Sequence, residues 1–442
     1  MDLGLLSSAT LALSASRLLH LGMLSGAFEP PRLNPLKSIP ASAIGSDAHA
    51  KLSELAATRS VTLLANRRAT LPLAASTSAE EVTLIGPAAN LSTPMQGSYS
   101  GLVPPRYNET LLVAMRRRFG ADLTHAEGCE DLSCTSDAGF AAAAEAARGR
   151  TAVVAVGHTW RCAHLARSQA DPSRRPEPAC SMEGSDLSSL ELPGRQEALI
   201  QAVGATAKRL VVVYVAANPV ASTWVAAHAD ALLQAYFAGQ ATAAAIVAVI
   251  SGDANPAGRL PFTVPRSLSE VPPMASYSMA GRGYRFATQP ALWPFGYGLS
   301  FSTFAYSDLV VDPPEVPACG NATVSFTLSN THGPSGREAP QLYAKWRWAQ
   351  GRASDSPAPG FHQPPRPVLK AFRSVQVRSG GSVRVSFALG ASELQAVRTD
   401  TFESACAHGE LDLFVGGGQP GMPPEHTRSN GLRGTLRVGG ES

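Results

Sequence analysis

Residues 182–186 read Met-Glu-Gly-Ser-Asp and hold the chain's clearest chemical possibility. Glu183 is followed at once by Gly184, and a second acid, Asp186, stands three residues on. A glutamate beside a glycine has a backbone free to bend and little steric cover. Its carboxyl can reach a neighbouring cleft and act as a general acid, with a pKa set by its surroundings. A solvated loop acid has the same composition, so position must separate the two readings. TAVVAVG (151–157) reads as a strand, and the next helical pattern begins near Gly194. Residues 158–193 are therefore a 36-residue connection without periodicity. Loops of that length inside a compact domain are usually functional or disordered. In open α/β sheets, ligands bind beyond the carboxyl ends of the strands, which is where this loop starts.

The elements that must carry this loop are legible. VTLLAN (61–66), VTLIGP (82–87), TAVVAVG (151–157), LVVVYVAAN (210–218) and ALLQAYF (231–237) are short apolar runs that suit strands buried on both faces. Between them, 138–150, 194–209 and 239–252 show Ala-rich helical patterns. The alternation predicts an α/β sandwich domain over 50–265, with a mostly parallel sheet and helices on both faces. Residues 266–304, rich in Gly, Pro and aromatics, read as an ordered linker. From 305 to 442 the pattern becomes alternating strands, at 323–330, 339–346, 368–377, 382–389 and 410–417. About seven short strands in such a length predict an all-β, immunoglobulin-like sandwich.

The bulk numbers set bounds. A chain of 442 residues predicts two or three domains, and 44% hydrophobic residues suffice for ordinary cores. The net charge is only +3, and no Lys/Arg stripe is interleaved with aromatics, so nothing points to nucleic acid. No apolar window reaches the length of a membrane span. The first 26 residues resemble a signal peptide in hydropathy, but their start carries Asp2 and no Lys or Arg. Leu11, Ala15, Leu18, Leu21 and Leu24 recur at steps of three and four, which predicts an amphipathic helix instead.

Six cysteines, Cys129, Cys134, Cys162, Cys180, Cys319 and Cys406, form no zinc-type pairs. Their even number and loop placement fit disulfides and an oxidising compartment. Sequons at Asn90, Asn108 and Asn321 point the same way, to an extracellular or secretory location with glycosylation. His125, His158 and His164 show no metal spacing and read as surface or loop residues. VGGGQPG (415–421) lacks the Lys-Ser/Thr of a phosphate loop and reads as a turn.

An ordered series of stretches adds to these readings. They include RLLHLGMLSG (17–26), SVTLLANRRATLPL (60–73), MQGSYSG (95–101), GCEDLSC (128–134), MEGSDLSSLELPGRQ (182–196), GRGYRF (281–286) and PFGYGLSFSTF (294–304). In this order they resemble glycoside hydrolase family 3, in its β-xylosidase and arabinofuranosidase branch, over about residues 10–440. The resemblance implies a (β/α)₈-type barrel, then an α/β sandwich, then a fibronectin type III-like domain. It implies retaining hydrolysis of terminal β-linked sugars, as in xylan breakdown, with two carboxyl groups ~5–5.5 Å apart and no metal or organic cofactor. The family's Glu-Gly-x-Asp-Arg motif falls on Glu183, Gly184, Ser185 and Asp186, so Glu183 is the implied acid/base.

Three departures accompany the likeness. The sequence opens at what resembles the last barrel helix, so 1–49 is read as barrel remnant and linker, and no aspartate here matches the family's nucleophile. Leu187 stands where the family has arginine. The connection leading to Glu183 is longer than usual and is bracketed by Cys162 and Cys180, which are expected to pair. Cys129 with Cys134, and Cys319 with Cys406, are further candidate pairs, and Gln96 and Tyr99 are candidate sugar contacts weighed against turn roles. Arg259, Tyr284 and Arg285 are expected to buttress the linker. The alternative to an enzyme part is a catalytically inactive, barrel-less protein that binds carbohydrate or serves a structural role.

Overall fold

A computed structural model describes residues 7–92, 95–97, 99–101, 103–104, 107–159, 179–181, 187–348, 360–422 and 429–439. The chain divides into two compact units, Met1–Leu52 and Ser53–Ser442.

In the first unit, helix α1 (Ser8–Leu24) starts where the Ser7 side chain accepts from the Thr10 amide. It has no buried residue; Leu18 and Leu24 are each about three-quarters exposed. The sequence predicted one apolar face. At about 100° per residue, Leu13 and Leu24 fall opposite Leu11 and Leu18, so apolar side chains surround the helix. Asn34 fixes the turns that follow, because its amide donates to the Ser25 and Gly26 carbonyls and its oxygen accepts from the Leu36 amide. No described helix is long and apolar enough to cross a membrane. Helix α2 (Asp47–Ser60) comes next.

The second unit opens with strands β1 (Thr62–Asn66), β2 (Val82–Ile85), β3 (Thr124–Ala126), β4 (Thr151–Gly157), β5 (Arg209–Val215) and β6 (Ala231–Gln234). They form one sheet in the order β1-β6-β5-β4-β2-β3, parallel throughout except for the β1–β6 pair. The helices are α3 (Leu111–Phe119), α4 (Phe140–Ala147), α5 (Gln196–Gly204), α6 (Thr223–His228) and α7 (Thr242–Ser251). Helix α3 packs on α7, and α4 packs on α5. Consecutive strand residues such as Val153, Val154 and Val212, Val213 are fully buried, so both sheet faces are covered. The alternation read from sequence is present. Helices α3 and α6 and strand β3 were not foreseen: the apolar pattern of α3 is interrupted by Arg116–Arg118, and α6 and β3 are too short to show a period.

The segment after α7 is fastened to this domain. Asn255 accepts from the Ser300 hydroxyl and the Phe301 amide and donates to Ser302. The Tyr297 hydroxyl donates to the Leu64 carbonyl, and Leu299 bridges Leu63 on β1.

Strands β7 (Thr303–Asp312), β8 (Glu315–Val316), β9 (Ala322–His332), β10 (Gly336–Glu338), β11 (Gln341–Trp346), β12 (Phe361–His362), β13 (Val368–Phe372), β14 (Val375–Val377), β15 (Ser382–Leu389), β16 (Gln395–Arg398), β17 (Ser404–Cys406), β18 (Gly409–Gly416) and β19 (Leu432–Val438) follow. The two sheets with the longest strands have the orders β15-β9-β7 and β13-β11-β18-β19-β8. They close over a core containing Phe326, Leu328, Leu342, Leu413 and Leu436. The single strand expected at 368–377 is two strands with different partners: β13 pairs with β11, and β14 pairs with β10. A disulfide joins Cys319 to Cys406.

One buried ion pair ties the α/β layer to the β layer. Arg259 Nη2 lies 2.9 and 3.0 Å from the two oxygens of Glu338, at the end of β10, and both side chains are largely buried. Breaking one partner of such a pair leaves an uncompensated charge. Glu338→Gln is expected to lower unfolding stability by about 3–5 kcal/mol in urea titration, and Arg259→Met with Glu338→Leu to recover most of it. A loss below about 1 kcal/mol for Glu338→Gln would contradict this role.

Candidate functional site

The carboxyl edge of the parallel sheet is where the sequence places its chemistry, and β4 ends there at Gly157. That residue has φ +147°, and a Cβ at this position would lie 2.0 Å from the Val215 carbonyl oxygen. Only glycine fits. The Gln196 side chain, wholly buried at the start of α5, holds Gly157 from both sides. Its Oε1 accepts from the Gly157 amide at 2.8 Å, and its Nε2 donates to the Gly157 carbonyl at 3.0 Å. The same Nε2 also donates to the Leu132 carbonyl.

The loop then leaves along a fixed path. The His158 amide donates to the Val215 carbonyl at 3.0 Å. The Thr159 amide donates to Ala179, and the Ser181 amide donates back to Thr159, each at 2.8 Å. Thr159 and Cys180 thus form a parallel bridge, and Ala179, Cys180 and Ser181 are all buried. Ser181 stands two residues before Glu183 in the sequence. The returning chain is pinned as well. Leu190 accepts from the Ala221 amide at 2.7 Å, and Leu192 is buried. Gly194, at φ +53°, passes so close to Ser133 that a Cβ would sit 1.9 Å from its carbonyl oxygen. The Arg195 amide donates to Cys134, whose turn is closed by the Cys129–Cys134 disulfide. Glu183, Gly184, Ser185, Asp186, Cys162 and His164 lie outside the described residues. Cys180 is disulfide-bonded.

The other sequence candidates sit as follows. Gln96 donates to Asn108 at 2.9 Å, and Tyr99 is 82% exposed. Asn90, Asn108 and Asn321 are exposed. The Tyr284 hydroxyl accepts from the Leu369 amide, and its ring stacks on Phe295. Arg285 lies over the Phe286 ring. Among the described residues, no group of three or more His, Cys, Asp or Glu side chains could hold a metal ion. Tyr236, just past β6, has φ +56° and shares a hydrogen bond with Thr62, while burial pushes its phenol up to about 12.

Two residues at this edge were missed or misread. Gln196 stands with Leu199, Ile200 and Val203 at spacings of three, four and seven, so a polar residue on the apolar stripe of α5 was the available signal. His158, read as a surface or loop residue, is instead 1% exposed. Its Nδ1 has no hydrogen-bond partner among the described residues. His125 is half-buried on β3, with Nδ1 against the Leu84 carbonyl.

Burial lowers the His158 pKa from 6.5 to about 4. Above pH 6.5 the ring is neutral in both folded and unfolded chains. As pH falls from 6.5 to about 4, the unfolded chain takes up a proton that the folded chain refuses, and stability falls. Between pH 7 and 4 the native chain is expected to lose about 3 kcal/mol more than His158→Gln, measured by urea unfolding. Parallel pH curves for the two would contradict a buried neutral ring.

Comparison with known proteins gives this edge its context. The description "Glycosyl hydrolase family 3 C-terminal domain" matches residues 61–301. A β-xylosidase of Formosa agariphila is 30% identical, over 84% of this chain and 49% of the relative. A periplasmic β-glucosidase of Salmonella typhimurium is 29% identical, over 88% of this chain and 52% of the relative. The chain therefore spans about half the length of the curated relatives it matches. The fold is shared with the β-glucosidase of Listeria innocua in complex with isofagomine: TM-score 0.77 at 22% identity, over 100% of this chain and 57% of that one. A family 3 β-glucosidase of Bifidobacterium adolescentis gives a TM-score of 0.72 at 27% identity, over 90% of this chain and 55% of that one. Family match, relatives and shared fold agree: the chain belongs to glycoside hydrolase family 3 and carries that family's C-terminal domain.

Proposed function

We propose that this chain supplies the acid/base half of a retaining β-glycosidase of β-xylosidase type. The observation that carries this reading is the double anchorage of the loop around Glu183. Gln196 fixes the root at Gly157, and the Thr159–Cys180 bridge fixes residues 179–181, which stand just before the glutamate in the sequence. A proton donor must be held within hydrogen-bond reach of the glycosidic oxygen, and a long loop achieves that only when its ends are fixed. Glu183 protonates the leaving oxygen and then, as the carboxylate, takes a proton from the attacking water. The nucleophilic carboxylate comes from a barrel of the family's type. The substrate is a terminal β-linked sugar, read as xylose because the Formosa agariphila relative named above is a β-xylosidase.

The finer features of the proposal follow the same lines. Residues 50–265 form the catalytic sandwich, 266–304 the linker, 305–442 a fibronectin type III-like domain, and 1–49 the remnant of a last barrel helix and linker. Cys162 pairs with Cys180 and closes the base of the insertion. Three exposed sequons and the two described disulfides support a secretory location.

The test is hydrolysis of β-1,4-xylobiose by this chain together with a family 3 barrel. Glu183→Gln is expected to lower kcat/KM by ~10²–10⁴-fold and to abolish the alkaline limb of the pH profile. Azide is expected to restore turnover on an activated aryl xyloside in Glu183→Ala. Activity of Glu183→Gln within twofold of the native chain would remove the acid/base assignment. No hydrolysis by any pairing would favour the inactive, carbohydrate-binding alternative, for which Leu187 in the arginine position is the motivating residue.

A further inference from the structure

The segment from Pro261 to Phe295 encloses a cleft of about 440 Å³ that the acid/base reading does not use. This is within the ~300–1,000 Å³ range of small-molecule sites. Phe262, Tyr284 and Phe295 form aromatic walls, and Glu270 and Gln289 supply polar groups. The walls are held in place. Tyr284 stacks on Phe295 with ring centroids 4.4 Å apart, and its hydroxyl is fixed by the Leu369 amide. Arg282 clamps the loop beside the cleft, with its guanidinium donating to the carbonyls of Pro273, Ser276 and Ser278 at 2.7–3.1 Å.

The charge pattern narrows the ligand. Arg282 directs three of its five N–H donors to backbone carbonyls, and the Glu270 carboxylate shares the lining, so the cleft carries one charge of each sign and no net preference for an anion. One Glu270 oxygen accepts from the Arg266 amide at 3.0 Å; the other makes no hydrogen bond among the described residues. Flat apolar walls with an acceptor and an amide fit a molecule that has a C–H face and a hydroxyl rim. A pyranose ring is such a molecule. We propose that this cleft binds a short, neutral, β-linked oligosaccharide. The sugar class rests on the glycosidase reading given above; the cleft and its charge pattern do not.

The experiment is calorimetric titration of the 442-residue chain with β-1,4-xylotriose. Saturable binding is expected in the native chain. Ala291→Trp, which fills the cleft, is expected to weaken it at least ~10-fold, and Glu270→Gln with Gln289→Ala by ~3–10-fold, since Glu270→Gln replaces a charged acceptor with a weaker neutral one and Gln289→Ala removes an amide. Glu183→Gln is expected to bind as the native chain does. Gln289 is exposed, so its variant tests the site even if Ala291→Trp fails to fold. Absence of saturable heat overturns the proposal. So does native-like binding by the Glu270→Gln, Gln289→Ala chain, or loss of binding confined to Glu183→Gln, which would put the sugar at the acid/base loop. Xylobiose hydrolysis without xylotriose binding at this cleft would sink this inference and leave the enzymatic reading standing.

Discussion

The amide of Gln196 is the contact on which the rest of this account depends. It is fully buried, and its three hydrogen bonds reach both backbone groups of Gly157 and the carbonyl of Leu132. Those groups lie on the last residue of β4 and on the turn closed by the Cys129–Cys134 disulfide. No helix or sheet ladder satisfies them there, because β4 stops and the chain turns away. Each buried backbone group left without a partner costs about 1–3 kcal/mol. A single side chain at the start of α5 therefore decides where strand, turn and loop meet.

Sites built on a fixed scaffold can afford a long loop only if its ends do not wander. Here the outgoing end is held by Gly157 and by the Thr159–Cys180 bridge, and the returning end by Leu190 and by Gly194 against Ser133. The same logic continues toward the C-terminus. Asn255 binds three groups at 300–302, and the Arg259–Glu338 pair joins the next layer. The β layers are thus attached to the α/β layer by specific buried polar contacts as well as by apolar packing. Such contacts are costly to break singly and fix one arrangement over others.

The layered plan was legible because its signals are periodic. Runs such as TAVVAVG and LVVVYVAAN can be satisfied only as strands covered on both faces, and they became β4 and β5 with Val153, Val154, Val212 and Val213 wholly buried. SVRVSFAL became β15 without a shift of boundary. What stayed hidden depends on tertiary position. VLKAFRSVQV looks like one strand, yet it changes sheets between Phe372 and Val375. His158 looks like the first residue of a loop, yet it is buried, with its amide on the Val215 carbonyl of β5. The apolar residues of α1 fit a single stripe when Leu11, Ala15 and Leu18 are counted, and cease to do so once Leu13 and Leu24 are placed. Of the candidate site, Glu183 was legible as a motif, whereas the residues that anchor its loop were not singled out. Gln196 does its work through backbone groups distant in sequence, and no local pattern records those.

The most direct measurement is native-state hydrogen exchange at the amides of Gly157, Thr159 and Ser181. If the loop is anchored as described, these three amides exchange only through opening of the sheet, with protection close to that of Val153 and Val154 in β4. Replacement of Gln196 by leucine should then release all three together. Exchange of Thr159 and Ser181 at the rate of an exposed loop, in a chain whose β4 amides remain protected, would contradict the anchored loop and remove the support for the proposed acid/base role of Glu183.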